Sequence, residues 1–247
     1  MDPGANGSFM TERSVQLGPV QTWYAEVGDG EPVVFLHPGG VDARALDVTV
    51  AGLASTMRVY TPERRGHGRT PDVEGPGLST ALTFADMAAD TIAFIEQVVG
   101  GPTKLAGCSD GGVVALLVAL ERPDLVERLA CVASVFHRDG WGGGMSGQTE
   151  RSDFVRRLDD MHSTDPALTP EMLAELSVRT LVMIGDDDEV SIEHATEFYR
   201  SVPVAELSIV PGTSHGLLVE KPALCNAILL DFLTRDSVQT FAPIRRA

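Results

Sequence analysis

The chain is expected to fold as an α/β protein with a mostly parallel sheet and helices on both faces. Three observations predict this. Short apolar runs bounded by turn residues alternate with stretches of helical period nearly end to end. Strands joined by helices imply a wound sheet, with the functional loops beyond the strands' carboxyl ends. Finally, 247 residues, 43% of them apolar, suffice for one large core.

Val15 to Val27 alternates loosely and is expected to supply one or two antiparallel strands at the start of the sheet. Val33 to Leu36 is a buried strand stopped by His37-Pro38-Gly39-Gly40. Ala43 to Ser55 is read as a helix, and Arg58 to Thr61 as a short strand before the loop Glu63 to Arg69. Thr83 opens a helix with a T-x-x-D cap, and Phe84, Met87, Ile92, Ile95 and Val99 follow its period. Next come a strand, Thr103 to Cys108, and a helix, Asp110 to Glu121, that is apolar on nearly every side and so belongs behind the sheet. Further strands are expected at Arg128 to Val135, Thr180 to Ile184 and Glu206 to Val210. A helix is expected at Ile192 to Ser201, and Pro222 opens the last one.

Between His137 and Arg179 the alternation stops. A glycine-rich stretch, Asp139 to Gly144, precedes two helical patterns, Glu150 to His162 and Pro170 to Leu176, the second capped by Thr169. Such an insertion is expected to form a short lid. The organisation expected is a disordered leader over 1–14, a core over 15–137 and 180–235, a helical cap over 138–179, and a tail over 236–247.

Thirty-five acidic against 19 basic residues give a formal charge of −16. Phosphate binding needs a basic footprint, so nucleic acid and anionic membranes are excluded as expected partners. The surplus is read as a solvated acidic surface. Cys108, Cys131 and Cys225 lie in apolar runs without metal-ligand spacing, which reads as buried thiols in a reducing cytosol. Neither a signal peptide's apolar segment nor a run of 18 apolar residues occurs, so the expected location is cytoplasmic. No clustered His and Cys ligands occur and no G-x-G-x-x-G opens a helix, so neither metal nor cofactor is expected. The run Asp186 to Asp188 lacks the loop spacing of a dedicated Ca²⁺ site. Oligomeric state is not readable from the sequence.

The chemistry is read from Gly107-Cys108-Ser109-Asp110-Gly111, a G-x-S-x-G element between a strand and a helix. A sharp strand-to-helix turn presents a serine hydroxyl to a base, and glycines let the neighbouring backbone approach. Acyl transfer also needs a histidine to take the hydroxyl proton and a carboxylate to orient that histidine. Asp186, Asp187, Asp188 and Glu189 follow one strand, and His215 follows the last. Spacing alone leaves the acid open among these residues, with Asp139 a further candidate. His67 is read as part of a turn, and His162 and His194 as surface residues.

These motifs, with Arg65-Gly66-His67-Gly68, resemble the α/β-hydrolase fold family over roughly residues 15 to 235. That resemblance implies Ser109 as nucleophile, His215 as base and Asp188, second aspartate of G-D-x-D-x-V, as the acid. It also implies an oxyanion hole from the N–H groups of Gly39 and Asp110. Here Pro38 replaces the family's usual glycine. Substrate contacts are expected from Asp110, His37, Gly40 and Trp141, with His37 orienting the oxyanion loop.

The Ser-Asp-Gly-Gly turn is similar to that of valacyclovirase-type (biphenyl hydrolase-like) enzymes, which implies that Asp110 recognises an amino group. The alternative is that Asp110 only serves its helix N-terminus. The implied activity is cofactor-independent hydrolysis of small carboxylic esters, lactones or activated amides, amino-acid esters included. Two alternatives stand beside it: a non-hydrolytic use of the same triad (C–C cleavage, lyase or perhydrolase chemistry), and a receptor-like binding module with an idle triad.

Overall fold

A computed structural model describes residues 10–73, 81–142, 152–238 and 240–241. Within these, eight strands form one sheet in the order β1-β2-β4-β3-β5-β6-β7-β8. They are β1 (Thr11–Leu17), β2 (Val20–Val27), β3 (Pro32–Leu36), β4 (Arg58–Pro62), β5 (Thr103–Cys108), β6 (Val126–Val132), β7 (Arg179–Gly185) and β8 (Ala205–Val210). The pairs β1·β2 and β2·β4 are antiparallel, and every other pair is parallel. The first strand begins at Thr11, inside the stretch expected as a leader. Residues 1–9 lie outside the described residues, as do 239 and 242–247 of the expected tail.

The helices are α1 (Asp47–Leu53), α2 (Phe84–Phe94), α3 (Asp110–Glu121), α4 (Asp153–Thr164), α5 (Pro170–Leu173), α6 (Ile192–Ser201), α7 (Leu217–Glu220) and α8 (Pro222–Thr234). Alternate side chains of a strand face opposite sides of a sheet, and two core layers follow from that. Val34, Leu36 and Leu105 join Phe84, Met87, Val113, Leu116 and Phe198 on the side of α2, α3 and α6. Val33, Phe35 and Ala106 join Leu53, Leu217, Leu229 and Phe232 on the side of α1, α7 and α8. As its composition predicted, α3 is buried almost throughout.

Several boundaries differ from expectation. The stretch expected as one helix from Ala43 is a 3₁₀ turn, Ala43–Leu46, capped by Asp42, followed by α1. Thr83 caps α2 as predicted, accepting from the Asp86 N–H, and the helix loosens into a π-helical turn over Ile95–Val99. The sixth strand ends at Val132, because Ala133 turns to φ 48° and its N–H donates to Met183 O at 2.7 Å. The residues Ala133 to Val135 stay buried in the core layers without extending the strand. The helix expected from Glu150 is α4, which begins at Asp153; Glu150 and the glycines Gly143 and Gly144 lie outside the described residues.

Candidate active site

At the carboxyl end of β5 the backbone reverses sharply into α3, and Ser109 takes φ 54° and ψ −123°. A non-glycine residue occupies that region only under local strain, which the surrounding packing must hold. Here the Ser109 N–H donates to Val132 O at 2.8 Å, tying the turn to β6. Strand and helix approach so closely that a Cβ on Gly107 would stand 2.1 Å from Gly111 O, and one on Gly111 2.4 Å from Leu36 O. Both glycines of the G-x-S-x-G element are therefore required by contact.

His215 stands in the loop between β8 and α7, with its Nε2 3.1 Å from Ser109 Oγ and its Nδ1 2.7 Å from Asp188 Oδ1. Among the adjacent acids, Asp188 is the one that reaches the histidine. Its carboxylate is fully buried and also accepts from the Val190 and Gly185 N–H groups, each at 3.1 Å. Burial alone would raise the Asp188 pKa, but the bonds from His215 and the backbone outweigh it and hold the carboxyl below its ordinary value. Burial likewise pulls His215 down, and the hydrogen bond and charge of Asp188 more than reverse this, leaving its pKa raised.

Asp186 has a different task. It accepts from the Thr213 N–H at 3.0 Å and so pins the histidine loop to the acid loop. Glu220 of α7 fixes the same loop from the other side, accepting from Ser214 N at 2.7 Å and Ser214 Oγ at 2.6 Å. Asp139 pairs with His137 instead, at 3.4 Å. Burial pushes the neighbouring Cys108 thiol up to about 12, so it stays protonated and offers no competing nucleophile.

The loop after β3 is held from beneath. Arg64 N–H donates to His37 Nε2 at 3.1 Å, which leaves the proton of the neutral ring on Nδ1, and Nδ1 donates to Pro38 O at 2.7 Å. Arg64 Nη2 donates to the same carbonyl at 2.8 Å. In a trans peptide the C=O and the next N–H point in opposite directions, so clamping Pro38 O aims the Gly39 N–H the other way. His37 has no exposed surface, and burial together with the Arg64 charge pushes its pKa well down. It was expected among the substrate contacts and to orient the oxyanion loop; its bonds in the structure are those that hold the loop. Burial also lowers Arg64 to about 10.

His67 packs between His37 and Phe154, at ring distances of 5.0 and 4.9 Å. Gly40 sits at φ 70° beside Leu158 of α4. Trp141 reaches both histidines of the cleft, 6.1 Å from His215 and 5.9 Å from His162 between ring centres.

Two histidines read from sequence as surface residues are not. His194 is buried, stacks on Phe136 at 4.3 Å and accepts the Phe136 N–H at 3.2 Å. His162 of α4 is half-buried, and its Nε2 lies 2.8 Å from Asp110 Oδ1. Asp110 is only 1% exposed, so its carboxylate does more than sit at a helix N-terminus. His162 follows Leu158 by one turn on an amphipathic helix, which the sequence shows without showing what the ring meets. Its partner, however, lies 52 residues away in the chain.

Comparison with known proteins identifies the family. Residues 33–228 match the Alpha/beta hydrolase family, and the chain belongs to it. Among curated relatives it is 26% identical to 2-hydroxy-6-oxo-6-(2'-aminophenyl)hexa-2,4-dienoic acid hydrolase of Metapseudomonas resinovorans, over 92% of each chain. It is 24% identical to the human serine hydrolase BPHL, over 93% of this chain and 88% of that one. Several other curated relatives are matched over only 41 to 51% of their own length. A serine hydrolase involved in carbazole degradation has the same fold, with a TM-score of 0.73 at 23% identity, covering 92% of this chain and 99% of that one.

Among the described residues, no helix is long and apolar enough to cross a membrane, and no three His, Cys, Asp or Glu side chains are grouped to hold a metal ion.

Proposed function

We propose that this protein is a cofactor-independent serine hydrolase of small carboxylic esters, lactones or activated amides. The observation that carries the reading is the continuous hydrogen-bonded chain from Ser109 through His215 to Asp188. Ser109 Oγ attacks the carbonyl carbon while His215 Nε2 takes its proton. Asp188 keeps the imidazole in the Nδ1–H tautomer and stabilises the imidazolium that forms. The Gly39 and Asp110 N–H groups receive the oxyanion, a contribution whose loss typically costs about 100- to 1,000-fold in rate. His215 returns the proton to the leaving group, and water then clears the acyl-enzyme by the same steps. Trp141 and Gly40 border the substrate, and the segment carrying α4 acts as a short lid.

A second reading, hydrolysis of a C–C bond by the same residues, is favoured by the full-length similarity to the Metapseudomonas enzyme. Product analysis separates the two readings.

The test is intact mass after fluorophosphonate treatment. Wild type is expected to gain one adduct, Ser109→Ala none, and His215→Ala an adduct that forms slowly. A folded wild-type protein that takes no label sinks the hydrolase reading and favours a binding module.

A further inference from the structure

Asp110 poses an electrostatic problem for its own site. It follows Ser109 directly, and a Cβ on Gly39 would stand 2.0 Å from its Oδ2. A full negative charge is thus held beside the loop that receives a developing oxyanion. The carboxylate is buried, and Oδ2 has no hydrogen-bond partner among the described residues. Such a charge needs a compensating cation nearby.

The structure provides two, Arg64 from the loop after β4 and His162 from the cap segment. His162 sits one helical turn beyond Leu158, with Trp141 and Phe84 against its ring, and holds Asp110 Oδ1 at 2.8 Å. We propose that His162 is a specificity-determining residue: as an imidazolium it is the internal counter-charge of Asp110, making the acyl pocket electrically balanced and selecting uncharged acyl groups over cationic ones. This rests on the serine-hydrolase reading above and names the substrate class for that site.

The groups facing His162 are Asp110 of α3, Asp159 of its own helix and Arg64 of the loop after β4. Burial and Arg64 oppose its protonation, while the bond to Asp110 and the charges of Asp110 and Asp159 favour it, and the balance leaves its pKa raised. Below that value the pair is neutral overall. Above it the Asp110 charge stands with only Arg64 to offset it, and a cationic acyl group gains.

The experiment uses two nearly isosteric p-nitrophenyl esters, of tert-butylacetate and of betaine, which differ by a quaternary carbon against a permanently charged nitrogen. The readout is the betaine-to-tert-butylacetate ratio of kcat/KM, from which the protonation of His215 cancels. His162→Gln keeps a hydrogen-bond donor and removes the charge. It is expected to raise the ratio by about tenfold or more at mildly acidic pH, because Asp110 then has only Arg64 to offset its charge near the acyl group. In wild type the ratio rises with pH, and in His162→Gln it is flat.

His162 is also titrated directly by NMR in wild type and Asp110→Asn. Its pKa is expected above 6.5, the ordinary value, and lower in the variant. An unchanged ester ratio with normal labelling of Ser109, or a His162 that titrates below 6.5, overturns this inference alone. Loss of labelling in wild type overturns the hydrolase reading instead.

Discussion

In the proposed mechanism His215 must be neutral to accept the serine proton, and that requirement sets a pH limit. Its pKa is raised because Asp188 outweighs the effect of burial, so the base becomes protonated, and activity is lost, as pH falls through a value above 6.5. The acidic limb of kcat/KM is therefore expected above 6.5. Asp188→Asn removes the charge that raises the pKa and leaves burial unopposed, so the limb moves down while kcat falls on the order of 10⁴-fold. A limb that stays in place would mean that another group controls it. At this scale Ser109 and His215 were legible because strand ends and chain order placed them on one edge of the sheet, whereas Asp188 was separated from the neighbouring acids only by the family resemblance. Arg64, His162 and His194 were not legible, because each acquires its role from a partner 26 to 58 residues away. Nothing in the local pattern distinguishes a histidine on a solvated face from one turned toward a buried carboxylate.

The turn from β5 into α3 and the start of α2 show how differently two element boundaries respond to one methyl group. Gly111→Ala drives a Cβ into the Leu36 carbonyl, and backbone on both sides cannot yield. A loss of about 3 kcal/mol or more is expected in urea unfolding, at the upper end of overpacking costs. Thr83→Ala removes the capping bond from the Asp86 N–H, 3.0 Å long, and the hydroxyl's own bond to the Asp86 carboxylate at 2.7 Å, and should cost about 1 kcal/mol. Equal losses at the two positions would contradict the close packing of β3 on α3. The boundaries read correctly from sequence, such as Thr83 for α2 and Pro222 for α8, are those where one residue does the stopping or starting. The end of β6 was misread because Ala133 to Val135 is apolar for burial, not for pairing, and a positive φ at an alanine leaves no mark in composition.

Across the whole molecule the dominant quantity is the charge of −16, 35 acids against 19 bases on one folded unit. Ion pairs such as Arg65 with Asp90 at 2.6 Å engage cations, and the acids outnumber the bases available to pair with them. Like charges repel more in the compact state than in an expanded chain. Raising NaCl from about 10 mM to about 0.2 M shortens the Debye length from roughly 30 Å to under 10 Å, so Tm is expected to rise. A Tm that falls with salt would show that the ion pairs outweigh the repulsion. The strand order carries one more consequence, for the chain during its synthesis. Ser109 leaves central β5, whereas Asp188 and His215 follow β7 and β8, which join the sheet one beside the other at its far edge. Ser109 and His215 are 106 residues apart. On the proposed mechanism, a nascent chain that has emerged as far as α5 carries its serine without base or acid, and stays chemically silent until the last two strands dock.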